Sequence, residues 1–402
     1  MDNILEGVKV VEAAEWVMAP GAAAILAGWG AEVVKIEHPL RGDPLRGTLR
    51  SLGRDTPFNF YAEQNNHSKR SIGLDLNNPE GREIFAKLIA ESDVFLTSFL
   101  EPAREKWGIT YEALSASHPR LVYARSSGQG QRGPDAYRPG YDTISYWARS
   151  GISYLAAQHG SPPGYMPAGG FGDVQGALAL ASGIVAALYR RERTGKGGLV
   201  DVSLLGVGVW DIYEVLQVTN SLKIDAKNEF RPGALPNNAL TAIYQTKEGR
   251  HVALSMLDSD RYWHTFCGAI ERPELEHDER FVDFAARARN RDELADLIAD
   301  RIGSYPLAAI AERLESHRCA FSIIAIPEEV LKDRQVLAND YLVPHPAQEG
   351  EFIVAPPIQF DEQPMTVHGP APEVGQHTEE VLLELGYSWE DIVRQKDSGA
   401  IT

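Results

Sequence analysis

The chain has 402 residues, 44% of them apolar and 24% charged, and a formal net charge of −17. That length exceeds one ordinary core and predicts two domains. The charge excludes a nucleic-acid backbone as the main partner, though a few local cations still suffice for a small polyanion.

No apolar run reads as long enough to cross a bilayer, and the start Met1-Asp2-Asn3-Ile4-Leu5-Glu6 lacks the basic end and apolar stretch of a signal peptide. Cys267 and Cys319 have neither disulfide-framework nor zinc spacing. The expectation is a cytoplasmic protein without a membrane or nucleic-acid partner.

In chain order, Val8-Lys9-Val10-Val11 reads as a strand, Pro20 opens a helix through the alanine-rich stretch ending at Trp29, Gly30 stops it, and Glu32-Val33-Val34-Lys35-Ile36 is the next strand. About 20 residues between strands suit a parallel crossover. A second unit has strand Ser71-Ile72-Gly73-Leu74-Asp75-Leu76, then Asn78 as cap and Pro79 at the first helical position. Its helix carries the apolar stripe Ile84, Phe85, Leu88 and Ile89 and leads to strand Asp93-Val94-Phe95-Leu96. A strand over 120–125 precedes a glycine-rich loop. The clearest helix follows Asp173, with Ala177, Leu178, Ala181, Ile184 and Leu188 at helical spacing, a basic end at Arg190-Arg191, and strand 199–204 after it.

This alternation predicts a doubly wound, Rossmann-like α/β domain. Beyond residue 220 a hairpin over 241–254 and helices over 291–302 and 307–314 predict a smaller α+β domain. The expected boundaries are 1–224 for the large domain, 225–328 for the small one, and 329–402 for a tail returning to the first.

Gly128-Gln129-Gly130-Gln131-Arg132-Gly133 has the form of a dinucleotide fingerprint, but Pro134, Tyr137 and Pro139 follow where a helix is needed. It reads as a loop. Lys69-Arg70 is either a solvated basic pair or a phosphate anchor. Asp173, after Gly169-Gly170-Phe171-Gly172, reads first as a helix N-cap. Yet three glycines exceed what a cap requires and admit a close backbone or ligand. A helix dipole would favour the ionised carboxylate that covalent carboxylate catalysis uses.

The ordered set Leu5-Glu6-Gly7-Val8-Lys9-Val10, Leu26-Ala27-Gly28-Trp29-Gly30-Ala31-Glu32, Lys69-Arg70-Ser71-Ile72-Gly73-Leu74-Asp75-Leu76, Arg138-Pro139-Gly140-Tyr141-Asp142, Gly172-Asp173, Val200-Asp201-Val202-Ser203-Leu204 and Gly375-Gln376-His377-Thr378 resembles the class III CoA-transferase family. That family includes formyl-CoA transferase and carnitine CoA-transferase (CaiB/BaiF-like) as well as the α-methylacyl-CoA racemases.

The resemblance implies an interlocked homodimer, acyl-CoA and a carboxylic acid as substrates, and no permanently bound cofactor or metal. It places the catalytic aspartate at Asp173 and coenzyme A contacts at Val17, Met18, His38, Asn66, His67, Ser68, Lys69, Ser98, Phe99, Lys106 and Tyr141. His38 and Lys106 stand where arginine is common, Ser98-Phe99 replaces an Asn-Phe pair, and the glycine-rich flap finds little match near 231–238. Racemases of this scaffold use a His in a Gly-His-Asp segment, with an acid near Asp258 as its partner. Here the segment is Gly140-Tyr141-Asp142, and a phenol is a poor base at neutral pH. The resemblance therefore favours a transferase, with a racemase or a catalytically silent acyl-CoA-binding homologue as alternatives. Trp147, Tyr154, Met166 and positions near 231–240 are candidates for a substrate pocket.

Overall fold

The computed structural model describes residues 3–54, 56–157, 162–223 and 237–402. The chain divides into two compact units, Met1–Ile224 with Gln335–Thr402, and Asp225–Arg334. The chain re-enters the first unit at Gln335, and Arg250 pairs with Glu329 of the short helix Pro327–Val330 at 2.8 Å within the second unit.

The first unit is built on six strands: β1 (Lys9–Ala13), β2 (Glu32–Glu37), β3 (Arg70–Gly73), β4 (Val94–Thr97), β5 (Val122–Ser127) and β6 (Gly198–Ser203). Their order across the sheet is β3-β2-β1-β4-β5-β6, and every pair is parallel. The chain starts in the middle, winds out to one edge, and crosses back to fill the other half. Such a sheet is covered on both faces, which is why Val10, Val11, Val94, Phe95 and Leu96 are all buried whichever way they point.

The helices that matter for the site are α1 (Met18–Gly28), α2 (Phe60–Asn66), α3 (Pro79–Ala90), α4 (Glu101–Trp107) and α5 (Phe171–Thr194). Asn78 caps α3 by accepting the Glu80 N–H at 3.0 Å, with Pro79 at its first position. The α3 stripe Ile84, Phe85, Leu88 and Ile89 packs on Phe95 and Tyr123. On the other face Ala22, Ala23, Leu26 and Ala27 of α1 meet Ala177, Leu180, Ala181 and Ile184 of α5 in one core. At 24 residues α5 has the length and apolar content of a membrane span, contrary to the sequence reading. It is the core helix of this layer, its small residues letting α1 approach closely; an added Cβ at Gly176 would lie 2.8 Å from Met18 Cε.

The second unit holds an antiparallel sheet of Ile243–Gln245, His251–Leu254 and Phe321–Ile323, with helices Ser259–Ala269, Arg291–Gly303 and Leu307–Ser316 around Trp263, Phe266, Phe281 and Ile298. The tail forms a ladder of Leu342–Pro344 with Phe352–Val354. It then covers the β3 edge: Ser71 O accepts the His377 N–H at 2.9 Å, and Thr378 Oγ1 accepts the Gly73 N–H at 3.0 Å.

One polar cluster lies inside the first unit. Glu12 on β1 and Lys35 on β2 are cross-strand neighbours, and Lys35 Nζ donates to Glu12 Oε1 at 2.7 Å, Asp43 Oδ2 at 2.9 Å and Ala14 O at 3.0 Å. Lys69 Nζ donates to the other Glu12 oxygen at 2.7 Å, and all three of these side chains are fully buried. Burial alone depresses both amines. At Lys35 the charges of Glu12 and Asp43 outweigh it and hold the ammonium above its ordinary range, whereas at Lys69 burial prevails and draws the amine down to about 8. Removing Glu12 leaves two buried cations against one carboxylate. Glu12→Ala is expected to cost about 3–5 kcal/mol, the usual penalty for breaking a buried pair. Urea unfolding followed by far-ultraviolet circular dichroism measures it, and a loss below about 1 kcal/mol would refute the role given to this cluster.

Candidate active site

In a sheet of this order the loops leaving β1 and β4 diverge, and a crevice opens at their carboxyl ends. The residues there are Ala14, Glu15, Trp16 and Val17 after β1, and Ser98, Phe99 and Leu100 after β4. Ser98 Oγ accepts the Glu15 N–H at 3.0 Å and joins the two loops. Asp43 Oδ1 accepts the Trp16 N–H at 3.1 Å. Trp16 has φ +72°, a left-handed conformation uncommon outside glycine, and it turns the indole onto Tyr141, edge to face at 5.6 Å. The buried Lys35–Asp43 pair therefore sets the direction of an aromatic side chain in the crevice.

The crevice continues into a cleft of about 920 Å³ lined by Val17, Met18, Phe60, Ser98, Phe99, Tyr141, Met166, Gly170 and Asp173, among others. Asp173 enters from α5. The helix begins at Phe171, with Gly170 at φ +91° as its N-cap, so Asp173 is the third helical residue and does not cap it. The capping acceptor comes from another segment: Asp142 Oδ1 accepts the Gly172 N–H at 3.0 Å. Gly172 is required for this approach, since an added Cβ would lie 2.2 Å from the Tyr146 ring and 2.6 Å from Asp142 Oδ1. Gly169 and Gly170 have open space where side chains would project.

The expectation that Asp173 is held ionised is corrected. Burial first, and the Asp142 charge second, push its carboxyl up to about 7, outweighing the helix dipole. Asp142 is itself raised by burial. A half-buried carboxylate that titrates near neutrality is a stronger base and nucleophile than one at its ordinary value, and it is still substantially ionised at pH 7.

A second, smaller hollow of about 90 Å³ adjoins the cleft and shares Glu15 and Phe99 with it. His38 and Arg41 line it, together with Leu74, Asp75, Leu76 and Asn77. Lys106 lies at its rim, donating to Asn77 Oδ1 at 2.6 Å.

Of the residues singled out from sequence, Val17, Met18, Ser98, Phe99, Tyr141 and Asp173 come together in the cleft, and His38 and Lys106 gather at the hollow. Asn66, His67, Ser68 and Lys69 do not join them. Lys69 Nζ is buried and engaged by Glu12 Oε2, Pro20 O, Asn65 O and Asn66 Oδ1, so it faces no phosphate. Asn66 and His67 are buried, His67 with its imidazole pushed down to about 3 by burial and the Lys69 charge, and Ser68 Oγ accepts the His368 N–H at 2.9 Å in the tail. These four residues enter β3, whereas the crevice is built by what leaves it. The expected strand over 71–76 stops at Gly73, and residues 74–77 turn out to line the hollow. Arg41 was also missed, three positions beyond His38 in a stretch without periodicity.

Met166 lines the cleft, Trp147 is buried with its indole N–H donated to Gly164 O at 2.8 Å, and Tyr154 is exposed. Asp258 precedes the helix Ser259–Ala269 of the second unit. Of the flap counterpart near 231–238, residues 231–236 lie outside the described residues. Among the described residues no group of three His, Cys, Asp or Glu side chains is placed to hold a metal ion.

The model of CoA-transferase family III matches residues 5–378. The chain belongs to that family. It is 34% identical to a (R)-2-hydroxy-4-methylpentanoate CoA-transferase from Clostridioides difficile over 99% of both chains. It is 32% identical to the β subunit of a succinyl-CoA–L-malate CoA-transferase from Chloroflexus aurantiacus, over 95% of this chain and 94% of that one. The crystal structure of a CaiB/BaiF family protein from Brucella suis superposes with a TM-score of 0.80 at 28% identity, covering 95% of this chain and 99% of that one.

This family III CoA-transferase should carry a measurable thermodynamic trace of the raised Asp173. A carboxyl whose folded value lies above its unfolded value costs stability as pH rises from about 4 to about 7, because the folded state holds the proton more tightly. Asp173→Asn is therefore expected to raise Tm at pH 8, with the gain shrinking towards pH 4. Equal shifts at both pH values in differential scanning calorimetry would contradict the burial assigned to this carboxylate.

Proposed function

We propose that the enzyme moves coenzyme A from an acyl-CoA thioester to a carboxylic acid through covalent adducts on Asp173. The observation carrying this reading is a carboxylate set at the start of a capped helix and open to a large cleft, its carboxyl pushed up by burial and by the Asp142 charge.

The Asp173 carboxylate oxygen attacks the thioester carbonyl carbon. The C–S bond breaks, CoA leaves as thiolate, and a mixed anhydride remains. The thiolate then attacks the Asp173 carbonyl carbon of that anhydride, releasing the donor acid as its carboxylate and leaving an aspartyl-CoA thioester. The acceptor carboxylate attacks this thioester and expels the thiolate to form a second anhydride. The thiolate attacks the acceptor's carbonyl carbon, yielding the new thioester and the free Asp173 carboxylate. Each adduct is about as activated as the bond it replaces, so no step needs an external energy source.

In this reading His38, Arg41 and Lys106 at the hollow receive the phosphorylated end of CoA, and the pantetheine arm runs past Phe99 and Val17 to Asp173. Tyr141 packs on Trp16 rather than presenting a base, which favours transfer over racemisation.

The interlocked homodimer belongs to the same proposal. The helix Tyr213–Leu222 buries none of its residues within one chain, and Trp210, Tyr213, Leu216 and Leu222 are exposed. Ile323, Ile326, Leu331 and Leu337 are exposed as well. A second chain wound through these segments would cover them. Analytical ultracentrifugation is expected to show a dimer that persists on dilution; a concentration-dependent monomer would refute the interlocking.

Asp173→Ala is expected to abolish transfer with the dimer intact, and hydroxylamine is expected to trap the wild-type adduct as a hydroxamate on Asp173. CoA binding without any trapped adduct would instead support a silent homologue. The rate should rise about tenfold per pH unit below about 7 and level off above it, as the nucleophile loses its proton. A rate profile flat from pH 5 to 8 would remove Asp173 from that role.

A further inference from the structure

The two relatives named above take acids of opposite character. One carries a branched apolar side chain, the other a second carboxylate, and overall identity separates them by two percentage points. The cleft of this chain separates them on charge. The described residues that line it include Glu15, Asp142, Asp173 and Glu351, and no Lys, Arg or His. The cations nearest in function, His38 and Arg41, line the adjoining hollow instead. Aromatic and thioether side chains supply much of the remaining wall, among them Trp16, Phe60, Tyr141, Met166 and Phe352. The indole of Trp16 is 39% exposed in this chain and held there by the strained backbone described above, so it is a surface waiting for an apolar partner.

We infer that the acyl groups handled at this cleft are those of monocarboxylic acids with a bulky apolar side chain, and that dicarboxylic acids are rejected by charge. The inference rests on the transferase reading and adds the substrate class to it.

The charge count explains why one carboxylate is accepted and two are not. When the acceptor arrives, Asp173 is an aspartyl thioester and has no charge, so the acceptor's reacting carboxylate restores the single negative charge the free enzyme carries there. A donor thioester with an apolar side chain brings no charge to the acyl end at all. A second carboxylate on either acid enters a cleft whose described lining carries Glu15, Asp142 and Glu351 and no cation to pair it. Like charges in a desolvated site repel strongly, and a buried group left unpaired discriminates far more than a missing methylene does. Within the cleft, burial and the Asp142 charge already raise the carboxyl of Asp173.

The test uses the full wild-type protein and three thioesters, 4-methylpentanoyl-CoA, 4-oxopentanoyl-CoA and succinyl-CoA. The last two have nearly the same size and differ in charge. The rate of hydroxylamine trapping at Asp173 is read by mass spectrometry at saturating hydroxylamine, with a blank for spontaneous thioester breakdown. The expected result is that 4-methylpentanoyl-CoA and 4-oxopentanoyl-CoA each exceed succinyl-CoA by at least about 100-fold in the second-order rate constant of trapping. Succinyl-CoA matching or exceeding 4-oxopentanoyl-CoA overturns the inference and leaves the transferase reading standing. Trapping with none of the three overturns both.

Discussion

Everything at the carboxyl edge of the sheet depends on four buried charges. Lys35 joins Glu12 to Asp43, and Glu12 reaches Lys69 with its other oxygen. Two cations and two anions balance inside a region where an unpaired charge is very costly. The balance locates the strand ends and loops that carry these groups. Asp43 completes the chain of consequence, because the oxygen that Lys35 does not engage accepts the backbone N–H groups of Trp16 and Leu45 and fixes the left-handed turn after β1. Without that turn the indole would not line the cleft that Asp173 enters.

The second constraint is at the start of α5. A helix start has unsatisfied N–H groups, and a nearby aspartate normally accepts one of them. Here Asp142 does so from a separate segment, leaving Asp173 one turn into the helix with its carboxyl open to the cleft. The arrangement has an electrostatic consequence. The capping carboxylate adds its field to burial and lifts the nucleophile candidate to about 7. Capping and activation are thus divided between two aspartates, and only Gly172 permits their approach.

Much of the scaffold was legible in the sequence because hydrophobic periodicity and turn residues are local. The alternation from β1 to β6, the Asn78-Pro79 helix start, the hairpin around Gly249 and the Asp173 position could all be read from short windows. What failed depended on distant partners. Lys69 looked like a free cation beside Arg70, but its counter-charge, Glu12, is 57 residues away. Residues 74–76 looked like strand because their apolar alternation continues that of β3, yet the ladder to β2 ends at Gly73. The tail satisfies Gly73 and bridges Leu74 to Ile401, so the chain turns away to form the hollow. Asp173 looked like a cap because the true acceptor, Asp142, lies 30 residues before the Gly172 it caps.

By itself, the sequence determined the fold class, the family and the carboxylate proposed here as the nucleophile, since these rest on residue order and on patterns with periods of a few residues. Only the tertiary structure decided which charges face the cleft and which are spent inside the core. Charge is felt through space: a buried lysine and an exposed one are the same letter, and their difference lies in the partners and the water that folding places around them. For that reason Asp173 could be found along the chain, whereas its protonation and the absence of cations among the described residues around it could be found only in the fold.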